Sequence, residues 1–150
     1  MKPTDSLSAT VLVPGRARGL SIALAPLSFW GGYDAERGVI VDKTHAGCGR
    51  SLAARVLVMP RARGSSSSSS VLAEALRNGM GPCGIVLGER DLILSIGAIT
   101  ANELYGLNVP VVMVDEPALA TLGKGEFMLE IDAPDHEDPT REACIRVTAP

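Results

Sequence analysis

Residues 54–59 (ARVLVM) are apolar and β-branched from Val56 onward, and Pro60 stops the run. A strand apolar at successive positions has no face to give to water. It has to be covered on both sides, as in a parallel sheet overlaid by helices. The continuation supports that reading. Arg61, Ala62, Arg63 and Gly64 are followed by six serines, and residues 71–77 then take helical spacing, with Val71/Ala75 and Leu72/Leu76 four apart. Asn78 and Gly79 are a natural helix stop. A buried strand, a glycine–serine loop and an amphipathic helix therefore form one unit that needs parallel neighbours. Residues 84–87 (GIVL) and 109–114 (NVPVVMV from Asn108) supply candidates.

The rest of the chain reads more weakly. Residues 10–13, 19–24 and 39–42 are short strand candidates, residues 92–96 a further strand, and residues 100–105 a short helix. Residues 127–131 and 145–147 fit a terminal strand pair. The acidic stretch 132–142 reads as a solvated loop. The expected fold class is mixed α/β: one domain over residues 1–150, with a core of short strands and two helices packed on it.

The loop carries the chemistry. Where a strand gives way to a helix, free backbone N–H groups and a partial positive charge face outward, and both favour carboxylate or phosphate. Serine hydroxyls add donors, and Arg61 or Arg63 could grip a carboxylate with two hydrogen bonds. Two plainer readings stand beside this one. Six serines are also a linker composition, or simple helix capping. A linker at this place would divide 150 residues into two poorly cored halves. The aromatic-glycine segment 27–34 (LSFWGGYD) is a candidate second wall, with Trp30 as a shield and Gly31 and Gly32 admitting backbone contact. Its plainer reading is a buried tryptophan anchoring a turn. His45, in the glycine-rich loop 43–50, is a further substrate-contact candidate or a loop histidine.

Composition and motif checks exclude other classes. Fourteen Lys and Arg against 17 Asp and Glu leave a net charge of −3, and 2 Phe, 2 Tyr and 1 Trp offer little stacking surface, so nucleic acid is a poor partner. No apolar run approaches the roughly 18–20 residues of a membrane helix, and the start of the chain lacks a secretory signal's apolar region. Cys48, Cys83 and Cys144 are far apart, an odd set that fits free thiols in the cytoplasm and gives no metal-site spacing. The Gly47–Cys48–Gly49 loop lacks a third glycine, Gly123–Lys124 lacks the rest of a phosphate loop, and neither His45 nor His136 carries the signature of a hydrolase base.

Residues 27–34, residues 38–42 with His45, residues 56–60 through Gly64 and Ser65, residues 95–99 and residues 109–112 together resemble the small subunit of aconitase X. The resemblance runs in order over residues 11–116 and leaves residues 117–150 without a role. It implies a swivelling β/β/α domain, with a short-stranded β core or barrel and flanking helices. It implies half of a hydro-lyase that removes water from a hydroxy acid, either cis-3-hydroxy-L-proline, giving 1-pyrroline-2-carboxylate, or 5-phosphomevalonate. Ser65 falls at the position of the proton-abstracting base, with Gly64, Ser66, Ser67 and Arg63 toward the substrate. No cofactor is expected on this chain; iron or an iron–sulfur cluster is expected on a separate large subunit. The unbroken serine run and the Arg61-Ala62-Arg63 lead-in depart from the archaeal pattern and favour the bacterial hydroxyproline enzyme. A non-catalytic anion-binding swivel module is the alternative from another class.

Overall fold

The computed structural model describes residues 5–135 and 142–150, so His136 and the middle of the acidic stretch lie outside the described residues. Seven strands close into a barrel: β1 (Ser6–Val13), β2 (Gly15–Ala23), β5 (Val56–Met59), β6 (Gly84–Leu87), β7 (Val111–Met113), β8 (Met128–Ala133) and β9 (Ala143–Thr148). Their order is β1-β7-β6-β5-β2-β8-β9, with β9 pairing back onto β1. Strands β2, β5, β6 and β7 are parallel, and the remaining pairings are antiparallel. A hairpin of β3 (Tyr33–Asp34) and β4 (Val39–Ile40) stands apart from the barrel.

The continuous apolar run is explained by two cores. Val56, Val58, Val86 and Val112 pack with Leu129, Ile131, Ile145 and Val147 inside the barrel. Leu57, Met59, Ile85 and Leu87, at the alternate positions, pack outward against Leu72, Ala75 and Leu76 of α2 (Ser68–Arg77) and Leu94 and Ala98 of α3 (Leu92–Tyr105). Successive side chains of a strand point to opposite faces, and here both faces are dry. Residues 128–133 and 143–148, to which the sequence attached only a possible strand pair, complete the barrel.

Two elements differ from the sequence expectation. Residues 92–96 are not a strand; they open the 14-residue helix α3. Its start is fixed by Asp91, whose side chain accepts the Leu94 N–H at 2.8 Å, and its end by Gly106 at φ 65°. The stretch is apolar around the whole helix, which erases the helical period and imitates a buried strand. Helix α4 (Glu116–Leu122) was unforeseen, being one Asp115-capped stretch of only 7 residues with Pro117 in its first turn. The fourth helical segment, α1 (Phe29–Gly32), is a single turn broken at Trp30 and Gly31.

The two helices cross closely. A Cβ at Gly97 would lie 2.8 Å from the Ser69 carbonyl oxygen, so α3 reaches α2 at that point only as glycine. The exit from α3 is held by Asn102, whose amide donates to the Val109 carbonyl at 3.1 Å and accepts the Val109 N–H at 2.9 Å. Replacing Asn102 by alanine orphans both half-buried backbone groups. The expected loss is about 1–3 kcal/mol, read as a lower urea midpoint with an unchanged slope.

Candidate active site

The site is the join between β5 and α2. Pro60 ends the strand, residues 61–67 form the loop, and α2 begins at Ser68. Gly64 makes the loop possible. Its φ is 101°, a region L side chains rarely enter, and a Cβ there would run into the Ser28 side chain. That contact brings the aromatic-glycine segment onto the serine loop. Arg63 N–H donates to the Leu27 carbonyl at 3.2 Å, and Trp30 N–H donates to Ser68 Oγ at 3.1 Å. Ser28 Oγ donates to the Trp30 carbonyl at 2.8 Å, which braces the turn from its other side. Ser68 is the one buried serine of the run, at 2% exposure, and its hydroxyl is thereby part of the scaffold.

Ser65 stands at the apex. It is exposed, and its Oγ accepts the Ser67 N–H at 3.1 Å. The first turn winds tightly, with Ser68 N–H donating to the Ser65 carbonyl and Ser69 N–H to the Ser66 carbonyl. The N–H groups of Gly64, Ser65 and Ser66 donate to no acceptor among the described residues. Three successive N–H groups without an acceptor beside a helix start are a ready receptor for an anion. The hydroxyls of Ser66 and Ser67 are exposed beside them.

The recess at Ser65 is small, about 110 Å³, and lined by Arg63, Gly64, Ser65, Ser68, Asp91 and Ile93, with Ala62 and Leu94. Sites that enclose a small molecule usually measure about 300–1,000 Å³. This surface is thus one wall rather than a whole pocket. Asp91, Ile93 and Leu94 went unseen in the sequence because the start of α3 read as a strand. The Asp91 carboxylate in that wall is already engaged as the α3 cap. A larger recess of about 460 Å³ lies on β2, β8 and β9, but its charges are spent on one another: Arg16 pairs with Asp132, and Arg18 and Arg146 with Glu130.

The other candidates divide. Trp30 is not a buried anchor; it is 58% exposed, and Gly31 beside it, at φ 77°, faces open space. Gly32 is buried, and its carbonyl accepts the Val41 N–H at 2.9 Å. His45 has both ring nitrogens taken. Nδ1 accepts the Gly47 N–H at 2.8 Å, which leaves Nε2 to donate to the Ala25 carbonyl at 2.9 Å. It closes its own loop. Arg61 and Arg63 are exposed. Asp42 lies within electrostatic reach of Arg63; the Thr44 hydroxyl and amide, then Arg63, hold its carboxyl below the usual range. The described residues do not gather into a site for a metal or cluster. Cys48 is exposed, Cys83 and Cys144 are half-buried, and among the described residues no three His, Cys, Asp or Glu come together as a ligand set.

Comparison with known proteins decides the family. The aconitase X swivel domain model matches residues 6–137. The chain belongs to the aconitase X swivel domain family. This swivel domain is 41% identical over 142 residues to the cis-3-hydroxy-L-proline dehydratase of Pseudomonas aeruginosa, covering 89% of this chain and 24% of that protein. It thus spans about a quarter of the length of that relative, and 20% of the Hypocrea jecorina protein of the same name, to which it is 39% identical. It is 34% identical to the phosphomevalonate dehydratase small subunit of Thermococcus gammatolerans, covering 77% of this chain and 90% of that one. Its fold superposes on crystalline Thermococcus kodakaraensis aconitase X, holo-form, with a TM-score of 0.78 and 28% identity over 95% of this chain and 98% of that one. The family match extends the resemblance past residue 116 and takes in α4 and β8. Among the described residues no helix is long and apolar enough to cross a membrane.

Proposed function

We propose that this chain is the small subunit of a two-subunit cytoplasmic hydro-lyase that converts cis-3-hydroxy-L-proline to 1-pyrroline-2-carboxylate, with Ser65 as the base. The observation that carries the reading is the shallow wall at Ser65, where a recess too small to enclose a substrate is lined by Gly64 and Ser65, whose N–H groups, with that of the next residue Ser66, meet no acceptor among the described residues. The dehydratase relatives from P. aeruginosa and H. jecorina supply the substrate class.

In this reading the substrate carboxylate sits on the N–H groups of Gly64, Ser65 and Ser66, with Arg63 beside them. Ser65 Oγ, as its alkoxide, takes the proton from the carbon next to that carboxylate, and the electron pair left behind forms a double bond to C3 as its hydroxyl leaves. The hydroxide recovers the proton from Ser65 as water, and the resulting enamine tautomerises to 1-pyrroline-2-carboxylate as its N–H proton moves to C3. An alcohol is a weak base until its alkoxide is stabilised. A helix N-terminus contributes about 0.3–2 kcal/mol, roughly one pKa unit at about 1.36 kcal/mol each. The Ser67 N–H on Oγ adds to this, and the cation Arg63 adds more. Iron or an iron–sulfur cluster, when bound, would act as a Lewis acid toward the leaving oxygen; in this reading it sits on the larger polypeptide, in keeping with the absence of a ligand set among the described residues.

The T. gammatolerans relative favours a second reading, in which the substrate is 5-phosphomevalonate. Co-expression with the cysteine-bearing large subunit and assay of both compounds separates the two. Turnover of cis-3-hydroxy-L-proline is expected. Turnover of 5-phosphomevalonate alone selects the second reading, and turnover of neither leaves an anion-binding module. The isolated chain is expected to be inactive and to bind no stoichiometric iron; iron bound by it alone would overturn the half-site reading.

A further inference from the structure

Helix α3 is apolar on both sides. Leu94, Ala98 and Ala101 pack into the core, while Leu92, Ile96 and Ile99 are 71%, 55% and 45% exposed. At about 100° per residue these three fall within about 60° of one another, directly opposite the buried face. A helix apolar all round is normally covered all round.

The stripe adjoins the candidate site. Leu92 lies between Asp91 and Ile93, both of which line the Ser65 recess. Trp30, also exposed, flanks the same serine turn through its hydrogen bond to Ser68. Any wall that completes the recess must pass over the first turn of α3. Glu89, Arg90 and Glu103 are exposed around the stripe and give it a polar rim. The length comparison identifies the occupant: the chain matches 24% of the P. aeruginosa dehydratase, and the other three quarters of such an enzyme must meet this domain somewhere.

We infer that Leu92, Ile96 and Ile99, with Trp30, form the apolar centre of the surface on which the larger polypeptide of the enzyme docks, so that docking and completion of the Ser65 site are one event. This rests on the half-site reading above. Three aliphatic side chains are less than the roughly 800 Å² per partner of a stable interface. They are its centre, and the serine loop and Trp30 supply the adjoining area.

The test uses the co-expressed pair, with Ile96→Asp and, as a control, Leu104→Asp. Leu104 is 67% exposed on the same helix but about 120° round from Leu92. Ile96→Asp is expected to weaken association at least about 30-fold by sedimentation, with the melting temperature of the isolated chain unchanged. Leu104→Asp and Ser65→Ala are expected to bind as wild type. Wild-type association by Ile96→Asp would overturn the docking surface and leave the half-site reading standing, as would a stripe whose charge substitution only breaks up a dimer of this chain. Failure of the wild-type chain to associate with the large subunit at all would overturn both.

Discussion

The Ser65→Ala enzyme is expected to dehydrate its substrate about 10²–10⁴-fold more slowly, the range that a positioned general base contributes, while assembling and melting as wild type. The separation follows from how Ser65 is held. Its side chain is exposed, and its one intramolecular hydrogen bond is accepted from the Ser67 N–H. Alanine removes the hydroxyl and leaves that N–H facing water, a small structural cost. The loop itself depends on Gly64, Arg63 and Ser68, none of which is hydrogen-bonded to the Ser65 hydroxyl. Single-turnover measurement of proton loss from the substrate is the direct readout. A variant within about tenfold of wild type would place the base elsewhere, with Ser66 next in line.

Gly64→Ala is expected to damage both activity and stability, a different signature. At φ 101° an alanine costs about 1–3 kcal/mol, which for a chain of this size lowers the melting temperature by about 2–4 °C per kcal/mol. The added methyl also collides with Ser28, so the serine turn and the Trp30 turn cannot keep their present distance. Displacements of about 1 Å at a reacting group cost about 10²-fold in rate, and a kcat loss of that size is expected. The double variant Ser28→Gly, Gly64→Ala removes the collision but not the backbone strain. Recovery of activity without full recovery of melting temperature would assign the rate effect to the collision. Wild-type kinetics in Gly64→Ala alone would mean that the turn's shape is unimportant.

What the sequence reveals depends on whether a residue's role is set by its neighbours in the chain. The β5–loop–α2 unit is legible because an apolar run, a proline, a glycine and a helical period follow one another. The same logic misreads α3, where apolar side chains on the outer face hide the period, and those side chains are the proposed docking stripe. Asp91 is missed for the same reason, since a cap is visible only once the helix behind it is recognised. His45 and Gly32 are held within the chain in a way no spacing reveals. Their groups are consumed by partners up to 20 residues away, Ala25 and Gly47 for the histidine and Val41 for the glycine. Trp30 goes the other way, exposed where an isolated tryptophan would ordinarily be buried.

Closure of the barrel through β1 and β9 has an architectural consequence. Ser6 pairs with Arg146, and the Val147 N–H reaches the Asp5 carbonyl at 2.8 Å, so the start of β1 and the end of β9 lie side by side. A tether attached to either end would depart from the same corner and disturb no strand. One gene could therefore be split into two, or two joined into one, at that corner, which accords with relatives that embed this unit in a protein about four times as long and others that are little more than the unit itself.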